Sequence, residues 1–258
     1  MTRFIYILTA CLLLAACSPM RTVKVQALES AVDKEALQAG DLRIAGSALA
    51  SGDLDVALSL YQLITATQPQ VVDGWLGLAT ARYLAGDISQ ARQAYQAAID
   101  IDPKQLDAQL GLARMDIRQR RLPEAIARYR AMLEHSPDNP LVLAGLGVAH
   151  DLSGDHSQAQ AAYKQGLAVH PDDPALRSNL GLSLSLNGKP REAVNVLLDV
   201  MGVPAYIPQG RQNLALAYGL MGRDDAAESI LLGDLPRETV QDNLKFYQEV
   251  RHRMKLKE

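Results

Sequence analysis

The stretch VDGWLGLATARYLAGDISQARQAYQAAIDIDP, residues 72–103, predicts two consecutive helices joined by a tight turn. Its first half repeats apolar residues at helical spacing, which gives the first helix a packing face. Gly86 ends that helix, because glycine adopts the left-handed capping conformation without a Cβ penalty. Ala91 and Tyr95 lie on one stripe of the second helix, and Pro103, which lacks an N–H, marks its end. The stretch therefore predicts a helical hairpin.

This hairpin recurs along the chain with a constant period of 34 residues. A small residue of the second helix repeats as Ala57, Ala91, Ala125, Ala159, Ala193 and Ala227. A bulky residue follows four positions later, as Tyr61, Tyr95, Tyr129, Tyr163, Leu197 and Leu231. Glycines end the first helices at Gly52, Gly86, Gly154, Gly188 and Gly222. In the third copy Arg120 replaces this glycine, so we predict a turn that closes differently, with Pro123 at the start of the next helix.

The period and its marker residues resemble the tetratricopeptide repeat, with about six copies over residues 38–235. This resemblance implies an all-α fold, a right-handed superhelical solenoid of helix hairpins. A terminal repeat faces solvent on one side and needs a cap. Residues 236–258 carry Val240, Leu244, Tyr247 and Val250 on one helical face and are predicted to form a C-terminal capping helix.

The N-terminus, MTRFIYILTACLLLAAC, has the pattern of a secretory signal. One positive charge precedes an apolar run of about 11 residues, which is too short to span a bilayer as a permanent helix. Residues 14–17, Leu-Ala-Ala-Cys, resemble the bacterial lipobox, which implies a signal peptide over 1–16, a lipid on Cys17 and a tether over 17–37. By the same resemblance, Ser18 implies an outer-membrane anchor with the array facing the periplasm. The alternative is an ordinary signal peptide that ends near a cysteine.

Composition argues against several function classes. The chain has 48% hydrophobic and 21% charged residues and a net charge of −3, so nothing favours nucleic acid as a partner. A dense basic run, Arg118, Arg120 and Arg121, is either a solvated turn or a docking point for an acidic partner.

No catalytic or metal-binding constellation is predicted. No two of the five histidines have the i, i+4 spacing of a helical metal site. His150 and Asp151 are neighbours in sequence, but such a pair alone is weak evidence for a catalytic role. Cys11 would leave with the signal and Cys17 would be acylated, so no free thiol would remain. We therefore predict a protein that is not an enzyme, without a small-molecule substrate and without a cofactor other than the lipid.

The first helix of each tetratricopeptide hairpin lines a concave groove, so the resemblance implies that this groove binds a protein partner. The predicted partner-binding residues are Tyr83, Arg114, Ile117, Asn179, Gln212 and Asn213. Other predicted groove positions are Leu76, Thr80, Leu110, Val148, Leu182 and Leu216. Asn179 and Asn213 occupy equivalent places in successive repeats. Their amides would either hold a partner's backbone or form a structural hydrogen bond between adjacent repeats.

Three segments carry a closer resemblance: residues 146–167 (LGVAHDLSGDHSQAQAAYKQGL), 178–194 (SNLGLSLSLNGKPREAV) and 210–227 (GRQNLALAYGLMGRDDAA). In this order, behind a lipobox, they resemble the TadD family, tetratricopeptide lipoproteins of tight-adherence (Flp) pilus assembly. This implies a pilotin-like assembly factor that binds the pilus secretin or another pilus-assembly protein. The alternative is a tetratricopeptide lipoprotein of another envelope system, either a type IV pilotin or an adaptor for periplasmic proteases or peptidoglycan enzymes.

Overall fold

The computed structural model describes residues 39–199 and 207–255. The predicted signal peptide, Cys17 and the tether up to residue 37 lie outside the described residues. Contacts between residues divide the chain into two compact units, one up to Ala94 and one from Tyr95. We call them unit one and unit two and describe each by itself.

All regular structure in residues 39–199 and 207–255 is helical, in thirteen helices. They are α1 (39–51), α2 (Leu54–Thr67), α3 (Val72–Leu84), α4 (Ile88–Ile101), α5 (Leu106–Arg118), α6 (Leu122–His135), α7 (Pro140–Leu152), α8 (His156–Val169), α9 (Pro174–Leu186), α10 (Pro190–Leu198), α11 (Ile207–Leu220), α12 (Asp224–Leu231) and α13 (Arg237–Lys255). The helices alternate with short turns at the period seen in the sequence, and the prediction of an all-α array of helix hairpins is confirmed.

Unit one is held together by close packing of α2 against α3. Ala57, Tyr61 and Ile64 on α2 are buried in its core. The Tyr61 ring lies directly over Gly77 of α3, so close that a Cβ on Gly77 would be 2.0 Å from its Cε1 atom. Glycine at this position therefore makes room for the tyrosine.

Unit two repeats the same arrangement. Each of the pairs α5–α6, α7–α8, α9–α10 and α11–α12 packs together, and each pair contacts the next. The periodic alanines Ala125, Ala159, Ala193 and Ala227 are all 0% exposed, because they lie where two helix axes approach closely. The first helices also contact one another directly, α5 with α7, α7 with α9 and α9 with α11.

Helix α13 covers the last hairpin by packing on α11 and α12. Tyr247 lies over Gly219 of α11, where a Cβ would be 2.5 Å from its ring. Arg251 donates to the Gly219 carbonyl and forms an ion pair with Asp224 at 3.0 Å. The hydrogen bond from Arg251 lowers the pKa of Asp224 below its ordinary value. In unit two, α13 therefore occupies the place of a further first helix.

The turn after each first helix closes in the same way, including the one without glycine. Gly52, Gly86, Gly154, Gly188 and Gly222 have φ angles between 72° and 87°. Arg120 has φ 60° and takes the same left-handed conformation. Its N–H donates to the Ile117 carbonyl at 2.9 Å, just as the Gly154 N–H donates to Asp151 at 3.0 Å. The prediction that this turn closes differently is wrong, although Pro123 does lie in the first turn of α6.

We expect Arg120→Gly to stabilise the chain. A non-glycine residue in the left-handed region costs roughly 1–2 kcal/mol, which the change to glycine would remove. Glycine's greater freedom in the unfolded chain lowers the stability again by about 0.5–1 kcal/mol. The net gain should be up to about 1 kcal/mol, measured as a higher urea midpoint of unfolding. The matched control, Gly154→Ala, places a side chain at the equivalent turn and should lower that midpoint. A lower midpoint for Arg120→Gly would contradict the strain assigned to this turn.

Candidate partner-binding face

The contacting first helices of unit two, α5, α7, α9 and α11, place equivalent residues side by side. One column of residues, spaced 34 apart, consists of Arg114, Val148, Leu182 and Leu216. Arg114 is exposed and the three aliphatic residues are half-buried. We call the accessible residues of these four helices the first-helix face. In this column the face combines three half-buried aliphatic side chains with one exposed cation, Arg114.

Three of the predicted binding residues on this face keep their polar groups available. Arg114 and Gln212 are exposed, and Asn179 is half-buried. Within residues 39–199 and 207–255, these three side chains make no hydrogen bond or ion pair. They are therefore free to bind a partner's polar groups.

The other predicted binding residues are engaged within the protein or lie elsewhere. Asn213 Nδ2 donates to the Ser178 hydroxyl at 3.1 Å and to its carbonyl at 3.4 Å, which is the structural hydrogen bond between adjacent repeats. Ile117 packs against the core formed by α5, α6 and α7. Tyr83 is half-buried on α3 of unit one. Leu110 is only 2% exposed, so its predicted groove position is wrong.

Asparagine at 179 coincides with a change in how the tyrosines pack. Gly111 and Gly145, at the equivalent places, lie under tyrosines of the preceding hairpin, and a Cβ on Gly145 would be 2.3 Å from Tyr129. Asn179 carries such a Cβ. Tyr163 instead lies over Gly147 of its own hairpin, where a Cβ would be 2.2 Å away. Asn179 is therefore not covered by a tyrosine ring, and its side chain is partly exposed to solvent.

Sequence reasoning missed a buried polar cluster around Asp151. Its carboxylate accepts hydrogen bonds from the Ser183 hydroxyl at 2.6 Å, the Tyr163 hydroxyl at 2.9 Å and His156 Nδ1 at 2.8 Å. Burial, then the Asp151 charge, raises the pKa of the Tyr163 hydroxyl. These three donors come from α8 and α9, so Asp151 on α7 links two successive hairpins. The period of 34 residues could have shown only that Asp151 replaces the apolar Ile117.

A second buried carboxylate, Asp116, lies at the end of α5 and is 1% exposed. It pairs with Arg121 at 2.9 Å and with Arg128 at 3.2 Å. Burial raises the pKa of the neighbouring Tyr129 to about 12, while the Arg114 charge lowers it and the Asp116 charge raises it. The basic run of the sequence is therefore in part a structural partner of Asp116.

We expect His150, at the end of α7, to make stability depend on pH. Burial first and then the charge of Arg130 lower its pKa below the ordinary value of 6.5, against the opposing charges of Asp155 and Asp151. The unfolded chain binds this proton near pH 6.5, whereas the folded chain binds it only at lower pH. The contribution is therefore present above pH 6.5 and is lost as the pH falls from 7 to 5.

The measurement is the urea midpoint of unfolding at pH 7, 6 and 5. The matched variant is His150→Leu, because Leu184 occupies the equivalent buried position in the next repeat. The wild type should lose more stability over this range than the variant. Equal losses in both would show that another group carries the pH dependence.

Other kinds of site find no support in the part of the chain that the structure describes. No group of three or more His, Cys, Asp or Glu residues there is arranged to hold a metal ion. Among the described helices, none combines the length and apolar character needed to cross a membrane. His170 directly follows α8. Its ring nitrogen Nε2 lies 3.0 Å from the Asp138 carbonyl oxygen, which is a contact between two turns.

Comparisons with known proteins give a consistent fold. Tetratricopeptide repeat models match residues 42–105, 83–147 and 117–182, which together cover more than half of the chain. No curated protein matches the sequence. Among solved structures, 292 chains match. Because so many proteins share this architecture, likeness to any one of them at low identity shows the fold alone.

Three of the similar structures differ in how much of them the chain covers. PilW, a widely conserved type IV pilus biogenesis factor, has a TM-score of 0.72 at 18% identity over 81% of this chain and 98% of its own. Pseudomonas aeruginosa pilF has a TM-score of 0.66 at 15% identity over 78% of this chain and 91% of its own. The APC/C hetero-tetramer Cut9–Hcn1 has a TM-score of 0.71 at 18% identity over 81% of this chain, which spans only 42% of that one.

Proposed function

Since the chain belongs to the tetratricopeptide repeat proteins, we propose that it is a non-enzymatic assembly protein for a bacterial surface pilus. One observation carries this proposal. The described array corresponds to nearly the whole of PilW, 98% of that chain, and PilW is a pilus biogenesis factor. The first-helix face supplies a binding surface of the kind such a role needs, with apolar residues and unpaired polar side chains.

The finer proposal is a tight-adherence pilus lipoprotein of the TadD type. Its support is the sequence: the lipobox ending at Cys17 and the resemblance over residues 146–167, 178–194 and 210–227. A lipid on Cys17 would anchor the chain in the outer membrane, and the array would face the periplasm. The proposed partner is the pilus secretin, or another pilus-assembly protein, bound at the first-helix face.

A second candidate is a pilotin-like protein of a type IV pilus. The similarity to PilW favours it, because that protein is described as a type IV pilus factor. The two candidates share the same binding surface and anchor and differ in the pilus system that they serve. The genes next to this one discriminate them: a tight-adherence ATPase and secretin would support the first candidate.

The experiment measures secretin multimers in separated inner and outer membranes. Three strains are compared: the wild type, a deletion of this gene, and Cys17→Ser expressed at the wild-type level. We expect the multimers to fall or to leave the outer membrane in the deletion, because the assembly factor is missing. We also expect Cys17→Ser not to restore them, because the variant lacks the anchor.

Two controls separate the parts of this proposal. Cys11→Ser alters the other cysteine of the N-terminus and should behave as the wild type. Full rescue by Cys17→Ser would remove the anchor from the proposal but leave the assembly role. Unchanged secretin multimers in the deletion strain would overturn the assembly role itself.

A further inference from the structure

Arg114 differs from the other arginines on the neighbouring first helices. Arg177 of α9 pairs with Asp172 and Asp199, each at 3.3 Å, and Arg211 of α11 pairs with Asp234 at 2.7 Å. Arg114 is exposed and pairs with no carboxylate in the described residues. Asp116, on the same helix, is already bound by two other arginines. Arg114 thus keeps all its hydrogen-bond donors for an outside acceptor.

The rest of the column is aliphatic. Val148, Leu182 and Leu216 follow Arg114 at the same place on α7, α9 and α11, and each remains half-buried. Asn179 lies beside this strip on α9, and Gln212 lies beside it on α11. Free amides offer both a donor and an acceptor to the backbone of an extended chain. The face is therefore apolar along its length and cationic at one end.

The spacing of the helices sets the length of a segment that fits. Packed helices lie about 8–10 Å apart. A polyproline II segment rises about 3.1 Å per residue and returns every third side chain to the same side, so it passes one helix with about three residues. From Arg114 to Leu216 there are three such intervals, which corresponds to roughly ten residues.

We infer that the first-helix face takes a protein segment of about ten residues in the polyproline II conformation, aliphatic at about every third position, with a carboxylate at the end that meets Arg114. Each aliphatic side chain would cover Val148, Leu182 or Leu216 and remove apolar surface from water. The carboxylate would form a charge-assisted pair with the guanidinium of Arg114. This inference rests on the proposed role of the face in binding, and it names the chemistry of the partner.

The test is a selection of random twelve-residue peptides displayed on phage against the immobilised full chain. The peptides retained should share aliphatic residues at about every third position and Asp or Glu near one end. Synthetic copies should bind Arg114→Glu at least tenfold more weakly than the wild type, measured by fluorescence anisotropy. The matched control is Arg191→Glu, an exposed arginine on the second helix α10, which should bind as the wild type does.

Two further measurements test the ion pair with Arg114 and the apolar contacts separately. Replacing the acidic residue of a selected peptide by Lys should restore its binding to Arg114→Glu. The double variant Val148→Thr/Leu182→Thr should bind at least tenfold more weakly and keep the circular dichroism spectrum of the wild type, since Thr80 occupies the equivalent position on α3.

The inference would be overturned if no peptide is enriched over an uncoated support, or if the enriched peptides bind Arg114→Glu as tightly as the wild type. These outcomes are independent of the pilus assay. Binding of acidic aliphatic peptides together with unchanged secretin multimers would refute the proposed function and leave the chemistry of the face intact. Loss of secretin multimers in the deletion strain without peptide enrichment would do the reverse.

Discussion

Gly77→Ala is expected to destabilise the chain by about 2–3 kcal/mol, near the upper end for overpacking of a core. The added Cβ would lie 2.0 Å from Cε1 of Tyr61 and 2.1 Å from its Cζ atom. The ring is buried between α2 and α3, so it cannot swing into solvent, and the helices must separate instead. The measurement is the free energy of unfolding from urea titrations followed by circular dichroism.

Gly46→Ala is the matched control, because Gly46 is also a helical glycine near Tyr61. There the added Cβ would lie 3.7 Å from the Tyr61 hydroxyl, an ordinary contact. Alanine favours a helix over glycine by about 0.8–1.0 kcal/mol, so this variant should gain stability. Loss of stability of the same size in both variants would mean that the ring does not set the requirement for glycine at position 77.

The second large effect is expected for Asp151→Ala, at about 2–4 kcal/mol. The change removes the acceptor of three side-chain hydrogen bonds and leaves the hydroxyls of Tyr163 and Ser183 buried without that partner. A buried polar group without a partner costs about 1–3 kcal/mol, and two such groups are created here. The loss should appear in the thermal midpoint of unfolding, at about 2–4 °C per kcal/mol.

Tyr163→Phe should recover much of the loss when it is combined with Asp151→Ala, because one of the unpartnered hydroxyls is then absent. Asp138→Ala, at an exposed turn position, is the control and should change stability by less than about 0.5 kcal/mol. If Asp151→Ala were as mild as Asp138→Ala, the cluster would not hold the two hairpins together.

The sequence predicted the array because its signals are local and repeated. Each copy carries a small residue where helices cross, a bulky residue one turn later and a terminator, and these depend on neighbours within one hairpin. The turn at Arg120 shows the limit of this reasoning. An arginine was expected to change the turn, but the surrounding helices hold it in the left-handed conformation that glycine takes elsewhere.

The candidate site was harder to predict, because it depends on which side chains are already occupied. Asn179 and Asn213 are equivalent in the sequence, yet only Asn213 donates to Ser178. Arg114 and Arg177 both lie on first helices, yet only Arg177 is neutralised by carboxylates from turns. The pairings of Asn213 with Ser178 and of Arg177 with Asp199 join residues more than 20 positions apart and leave no mark in a period of 34 residues.

Some tyrosines pack over a glycine of the next hairpin and others over a glycine of their own, which limits where the chain can be divided. Tyr129 fits over Gly145 of the following hairpin, so a fragment that stops after α6 would leave this ring without its cover. Tyr163 fits over Gly147 of its own hairpin, but it also packs in a core with Leu176 and Leu180 of α9, so a fragment that stops after α8 would uncover the ring on that side. The hairpins look alike in sequence but are not interchangeable modules, because a cut after α6 and a cut after α8 would each uncover a different side of a buried tyrosine.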